Sequence, residues 1–96
     1  MLIALDYDDT FTRDPDGWLE FVKLMKARGH QFVGATMRYP GEASGMDERY
    51  ESVCQKLYFT GRKAKRSYLA DVGVFPHVWV DDTPEWISTN AAQESE

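Results

Sequence analysis

Two apolar runs in this chain end in paired aspartates, one near each end of the sequence. Leu2-Ile3-Ala4-Leu5 leads into Asp6, Asp8, Asp9 and Thr10, and Val78-Trp79-Val80 leads into Asp81, Asp82 and Thr83. A continuous apolar run is the pattern of a strand covered on both faces, as in a parallel sheet sandwiched by helices. Such a strand has no use for carboxylates inside the sheet. They belong just past its carboxyl end, where an open α/β sheet places its ligands.

The segments between these runs alternate in the same sense. Asp14 and Pro15 read as a helix N-cap and first helical residue. The helix they open carries Trp18, Phe21, Val22 and Met25 on one face, and Gly29 stops it. A strand is predicted over Gln31–Ala35, ending at Thr36, then a loop to Gly45 and a helix over Met46–Lys56. A short strand over Leu57–Thr60 follows, then a helix from Lys65 that Gly73 ends, a strand over His77–Val80, and a last short helix opened by Thr83-Pro84. Strands alternating with helices predict α/β: a single Rossmann-like three-layer α/β/α domain, with a small parallel sheet of about four strands. The domain is expected over residues 1–90, with 91–96 as a flexible tail.

Four strand ends then read Asp6, Thr36, Thr60 and Asp81, all polar. If the first and fourth strands are neighbours, Asp6, Asp8, Asp81 and Asp82 converge. Like charges a few ångströms apart are costly in a partly dehydrated site, so some must be protonated or a cation must sit among them. Oxygen ligands without thiolate or imidazole favour a hard ion, Mg²⁺ above others. His30 and His77 each begin a strand and are expected at the opposite end of the sheet, on the surface. Taken singly, D-x-D-D-T also fits an Asx turn and D-D-T-P a helix cap; their joint occurrence is what points to a site.

The net charge is −5, from 11 basic and 16 acidic residues, which argues against a nucleic-acid or membrane-surface partner needing a basic face. No apolar stretch approaches the ~20 residues that span a bilayer. The single cysteine, Cys54, allows no internal disulfide and is expected as a small core residue. A cytoplasmic location is the default expectation.

The motifs resemble those of the haloacid-dehalogenase-like superfamily of aspartyl-nucleophile phosphohydrolases. That family carries D-x-D-x-T after its first strand, and Asp6, Asp8 and Thr10 match it. Its second motif, a Thr or Ser ending the next strand, falls on Thr36. Its motif lysine falls on Lys65, with Lys63 as a rival; Lys65 is favoured because it begins a helix and points toward the strand ends. Its late acidic pair falls on Asp81 and Asp82. The gaps available for a cap domain are too short to hold one, so the resemblance implies a capless member with an open site. Such a site suits a bulky phosphorylated substrate, or one roofed by a neighbouring subunit in a homo-oligomer.

The resemblance implies a phosphomonoesterase working through an aspartyl-phosphate. Asp6 would be the nucleophile and Asp8 the acid and base. Mg²⁺ would be held by Asp6, the main-chain carbonyl of Asp8, Asp81 and nearby Asp82. Thr36 and Lys65 would hold and offset phosphoryl charge. Tyr7, exposed toward the site, Thr10, Arg38 and Lys63 complete the expected substrate contacts. Asp9 stands where the family commonly has glycine. Two other readings compete: a receiver-like phosphoacceptor switch, disfavoured because its acceptor aspartate would end the third strand, and a non-catalytic metal- or protein-binding member of the fold.

Overall fold

A computed structural model of the chain describes residues 1–91. Four strands, β1 (Leu2–Leu5), β2 (Gln31–Thr36), β3 (Leu57–Phe59) and β4 (Val78–Val80), form one sheet in the order β3-β2-β1-β4. All three pairings are parallel. Four helices, α1 (Pro15–Ala27), α2 (Glu48–Val53), α3 (Lys65–Asp71) and α4 (Glu85–Ser88), complete the α/β domain. Among the described residues no helix is long and apolar enough to cross a membrane.

Each strand is apolar on both faces, and its alternation sorts the core into two layers. Ile3, Leu5 and Phe32 pack with α1 and α2 residues Val22 and Tyr50. Ala4, Val33 and Ala35 face the other way and pack on Leu69 of α3. The parity of the strands thus explains why the runs read as continuous. β2 needs Gly34 for this packing. A Cβ there would come within 2.5 Å of both Leu57 and the Tyr50 hydroxyl. Tyr50 in turn donates from its hydroxyl to the Leu5 carbonyl at 2.6 Å, tying α2 to β1.

Asp14 caps α1 by accepting the Gly17 N–H at 3.1 Å, with Pro15 at the first helical position, as expected. The expected helix over Met46–Lys56 is shorter in the structure. Asp47 caps it by accepting the Arg49 N–H, and at its other end Cys54 is already extended. Gln55 N–H donates to Phe32 and the Lys56 carbonyl accepts from Gly34, so these residues are claimed by the sheet before β3 begins. Cys54 is buried in the core, and burial pushes its thiol up to about 12, which suits a packing role.

The expected tail also differs at its start. The Asn90 side chain accepts the N–H of Ala64 at the head of α3, and the buried Ala91 donates its N–H to the Arg62 carbonyl. Both residues are therefore part of the domain, while the rest of the expected tail, 92–96, lies outside the described residues. At the far end of the sheet, His30 and His77 each face the start of β1. His77 Nδ1 accepts the Leu2 N–H at 3.0 Å, and His30 lies against the amino group of Met1.

The strand order places β1 between β2 and β4. The chain moves outward from β1 through β2 to β3, then returns across the sheet to β4. The order reverses between β1 and β4, and that is where the crevice of a doubly wound sheet opens.

Candidate active site

Asp6 and Asp81 lie side by side because the ladder puts them there. Leu5 is in register with Val80, and the Asp6 N–H donates to the Val80 carbonyl at 3.0 Å, one step past the strand. The aspartates that follow the two apolar runs therefore end at the same height, on adjacent strands.

Lys65 joins them. It stands at the first turn of α3, and its side chain reaches under the strand ends. Its Nζ donates to Asp6 Oδ1 at 2.7 Å and to Asp81 Oδ2. All three side chains are shielded from water, at 1% exposure for Lys65, 8% for Asp6 and 2% for Asp81. Lys63, the rival, points elsewhere, onto the outer surface of α3 beside Ser67 and Asn90.

Thr10 links Asp6 to Asp82. Its hydroxyl oxygen accepts the Asp82 N–H at 3.1 Å. The same hydroxyl lies 2.9 Å from Asp6 Oδ2 and 3.1 Å from Asp82 Oδ1. A hydroxyl has one proton to give, so it serves one of these carboxylates at a time. Asp81 Oδ1 and Asp82 Oδ2 accept from the N–H and hydroxyl of Thr83. Thr10, expected among the substrate contacts, is thus a buried brace between the two acidic segments.

Asp6 and Asp81 share one ammonium, with Asp82 beside them through Thr10, and the surroundings shift the acidity of Asp6 and Asp82 in opposite directions. Burial raises the Asp6 carboxyl to about 7, and neighbouring Asp81 and Asp82 add to the rise against the pull of Lys65. Asp82 is held below the usual range. Its partial burial works to raise it, but the hydrogen bonds from Asp6, Thr10 and Thr83 together outweigh that.

The same arrangement fits a divalent cation. One oxygen from each of Asp6, Asp81 and Asp82 lies within 4.8 Å of the others. Oxygens around an octahedral Mg²⁺, at about 2.0–2.1 Å from the ion, lie about 3 Å apart when adjacent and about 4.2 Å apart when opposite. Three carboxylates and one ammonium carry a net charge of −2, which one divalent ion neutralises. The donors are all oxygen, the set that hard cations prefer. The side chain of Asp8 is outside this group.

Asp8 faces a different partner. Arg38, just past the end of β2, grips it with two hydrogen bonds, Nε to Oδ2 and Nη2 to Oδ1, both 2.8 Å. The third guanidinium nitrogen donates to the Glu42 carbonyl. The hydrogen bonds to Asp8 hold the Arg38 pKa above its usual value. Arg38 also covers the ring of Tyr7, at 5.2 Å from the ring centre.

Tyr7 departs from expectation. Instead of being exposed toward the site, it is buried among Phe11 and Tyr50, and its hydroxyl accepts the Asp47 N–H at 2.8 Å. Tyr7 continues the parity of Ile3 and Leu5, so the pleat directs it into the α1/α2 layer. Asp9 turns the chain back, with φ of +60°, a left-handed conformation that favours glycine. Its N–H donates to the Thr12 hydroxyl at 2.9 Å, which helps hold the turn.

A pocket of about 100 Å³ lies over the cluster, lined by Asp6, Asp8, Thr36 and Asp82 among others. Thr36 is buried at its edge, and its hydroxyl accepts the Arg38 N–H at 3.3 Å. Thr60, the remaining polar strand end, is instead used locally; its hydroxyl donates to the Lys63 carbonyl and holds the turn before α3. Trp86 of α4 also lines this pocket. Ile87 beside it is buried, so α4 sets one side chain inward and the other over the cleft.

Comparison with family models, with curated proteins and with solved structures finds no match, so the chemistry rests on the residues and their geometry.

Proposed function

We propose that this protein is a capless phosphohydrolase of the haloacid-dehalogenase-like kind, cleaving phosphate monoesters through an aspartyl-phosphate on Asp6. The observation that carries this reading is the Asp6–Lys65–Asp81 bridge at the switch point, with Asp82 joined to it through Thr10. A cluster of this charge, with Asp6 and Asp81 shielded and Asp82 open to water, is poor as a stabilising device and good as a place to hold a cation and an anionic substrate together.

Asp6, Asp81, Asp82 and the main-chain carbonyl of Asp8 would hold Mg²⁺. When bound, that ion lowers the repulsion between carboxylate and phosphoryl oxygens and polarises the latter. The protein's own groups perform the rest. A carboxylate oxygen of Asp6 forms a bond to phosphorus as the ester O–P bond breaks. The electron pair of that bond leaves with the ester oxygen, which takes a proton from Asp8. Water then attacks phosphorus and gives a proton to Asp8, and the acyl-phosphate bond breaks to return the Asp6 carboxylate and orthophosphate. Lys65 keeps one oxygen of Asp6 in place throughout. The buried Thr36 hydroxyl is positioned for a phosphoryl oxygen in the small pocket.

For this to proceed, Asp8 must release at least one of the two oxygens that Arg38 holds. The pair is open to water, with 49% of the Asp8 side chain and 27% of that of Arg38 exposed, so separating them is cheap. Substrate phosphate, itself a partner for a guanidinium fork, favours the exchange. The receiver-like reading is weaker, because β3 ends at Phe59 and is followed by Thr60, with no acceptor carboxylate there.

The test is hydrolysis of p-nitrophenyl phosphate. Turnover is expected with Mg²⁺, is lost on chelation, and falls by at least about 10³-fold in Asp6→Asn, as removal of a covalent nucleophile requires. Turnover unaffected by Asp6→Asn would refute the mechanism.

A further inference from the structure

The small pocket over Asp6 is large enough for a phosphoryl group and little else. A second pocket of about 690 Å³ adjoins it, and Asp8, Asp9, Met37 and Trp86 line both. This inference rests on the phosphohydrolase reading above. With phosphorus against Asp6 and the ester oxygen toward Asp8, the rest of the leaving group lies in the larger pocket.

The walls of that pocket restrict what it accepts. Among the described residues, Arg38 and Arg62 are its only cationic lining residues, and both are already paired. Arg38 is bound to Asp8 and, once Asp8 is released, is taken up by the reacting phosphoryl group, while Arg62 donates to the Met37 carbonyl at 2.7 Å and to both carboxylate oxygens of Glu42. With Asp8, Asp9 and Glu42 against two arginines, the described lining residues carry a net charge of −1. A second phosphate or a carboxylate on the substrate would have to displace an existing partner and meet this excess. The largest apolar residue of the lining is Trp86, which is 36% exposed. An exposed indole facing a pocket offers a flat surface for stacking.

The pocket is also preformed. Arg62 adopts a left-handed φ of +70°, uncommon for a residue with a side chain. It is held there by its N–H donating to Met37, its carbonyl accepting from Ala91, and its guanidinium lying 5.1 Å from the Tyr39 ring centre. Backbone strain kept by this many contacts is a mark of a shaped site.

We infer that the larger pocket binds the leaving group of a small phosphate monoester, and that this group is an uncharged planar ring stacked on Trp86. Benzyl, ethyl and 4-carboxybenzyl phosphate test it, because all three leave as primary alcohols and differ in ring and charge rather than in a phenol's reactivity. Benzyl phosphate is expected to exceed ethyl phosphate in kcat/KM by about tenfold or more, and to exceed the carboxylated ester similarly. The benzyl-to-ethyl ratio falls toward unity in Trp86→Ala and is kept in Trp86→Phe. Hydrolysis of all three esters at similar kcat/KM would overturn the ring pocket while leaving the phosphohydrolase intact. A ratio unchanged in Trp86→Ala would likewise overturn it. No hydrolysis of any ester would overturn both.

Discussion

Two carboxylate–cation pairs flank the end of β1, with nearly the same hydrogen-bond lengths and opposite surroundings. Lys65 meets Asp6 at 2.7 Å with both side chains sealed from water, and Arg38 meets Asp8 at 2.8 Å in the open. The distances alone would rank them equal. Burial separates them: an ion pair in water is worth little and opens readily, whereas a buried charge left without its partner is strongly destabilising. The first pair can hold the proposed nucleophile in one place. The second can trade partners when substrate arrives. The division matches the roles proposed for Asp6 and Asp8, one fixed and one mobile.

The largest expected difference comes from removing each cation in turn. Lys65→Met leaves Asp6 and Asp81 facing each other without compensation, and should lower the unfolding free energy by about 3–5 kcal/mol in metal-free protein. Urea unfolding at pH 8 measures this, and added Mg²⁺ should restore part of the loss. A loss below about 1 kcal/mol would erase the distinction between the two pairs.

A smaller effect follows from the raised Asp6 carboxyl. Its folded pKa of about 7 stands above the unfolded value of 3.8, so between these values the folded state holds a proton that the unfolded state has lost. The group's contribution therefore falls as pH rises through this window, by at most about 1.4 kcal/mol per pH unit. Metal-free wild-type protein should lose stability between pH 5 and about 7 relative to Asp6→Asn, which lacks the titrating carboxyl. Parallel pH profiles of the two proteins would contradict the assignment.

The smallest effect belongs to the exposed pair. Arg38→Met gives up an exposed ion pair and a stack on Tyr7, so its stability loss should stay within about 1–2 kcal/mol in the same urea experiment. A loss matching that of Lys65→Met would show the outer pair to be structural.

Much of the fold and of the buried pair was legible in the sequence. Apolar runs bounded by turn residues located all four strands, and the shared acidic endings of the first and last prompted the supposition that they are neighbours, as the sheet has them. Lys65 could be preferred over Lys63 because a helix start aims its side chain differently from a loop. The outer region was less legible for physical reasons. Arg38 finds Asp8 across 30 positions of chain, through loops whose course has no periodic signature. Tyr7 did carry a signal, since it shares the parity of Ile3 and Leu5, but the flanking aspartates suggested a side chain aimed at the site, whereas just past the end of β1 it turns into the core. Asn90 caps α3 from 26 residues away, and nothing in its neighbours marks it. The role of Thr10 as a brace depends on the left-handed turn at Asp9, which an aspartate in place of glycine does not announce.

The central claim is that Asp6, Asp81 and Asp82 form one divalent-cation site. Calorimetric titration of the metal-free protein with Mg²⁺ addresses it most directly. One ion per chain is expected, with binding lost in Asp6→Asn and in Asp81→Asn and retained in Arg38→Met. Absence of binding to the wild-type protein, or binding that survives loss of either carboxylate, would contradict it.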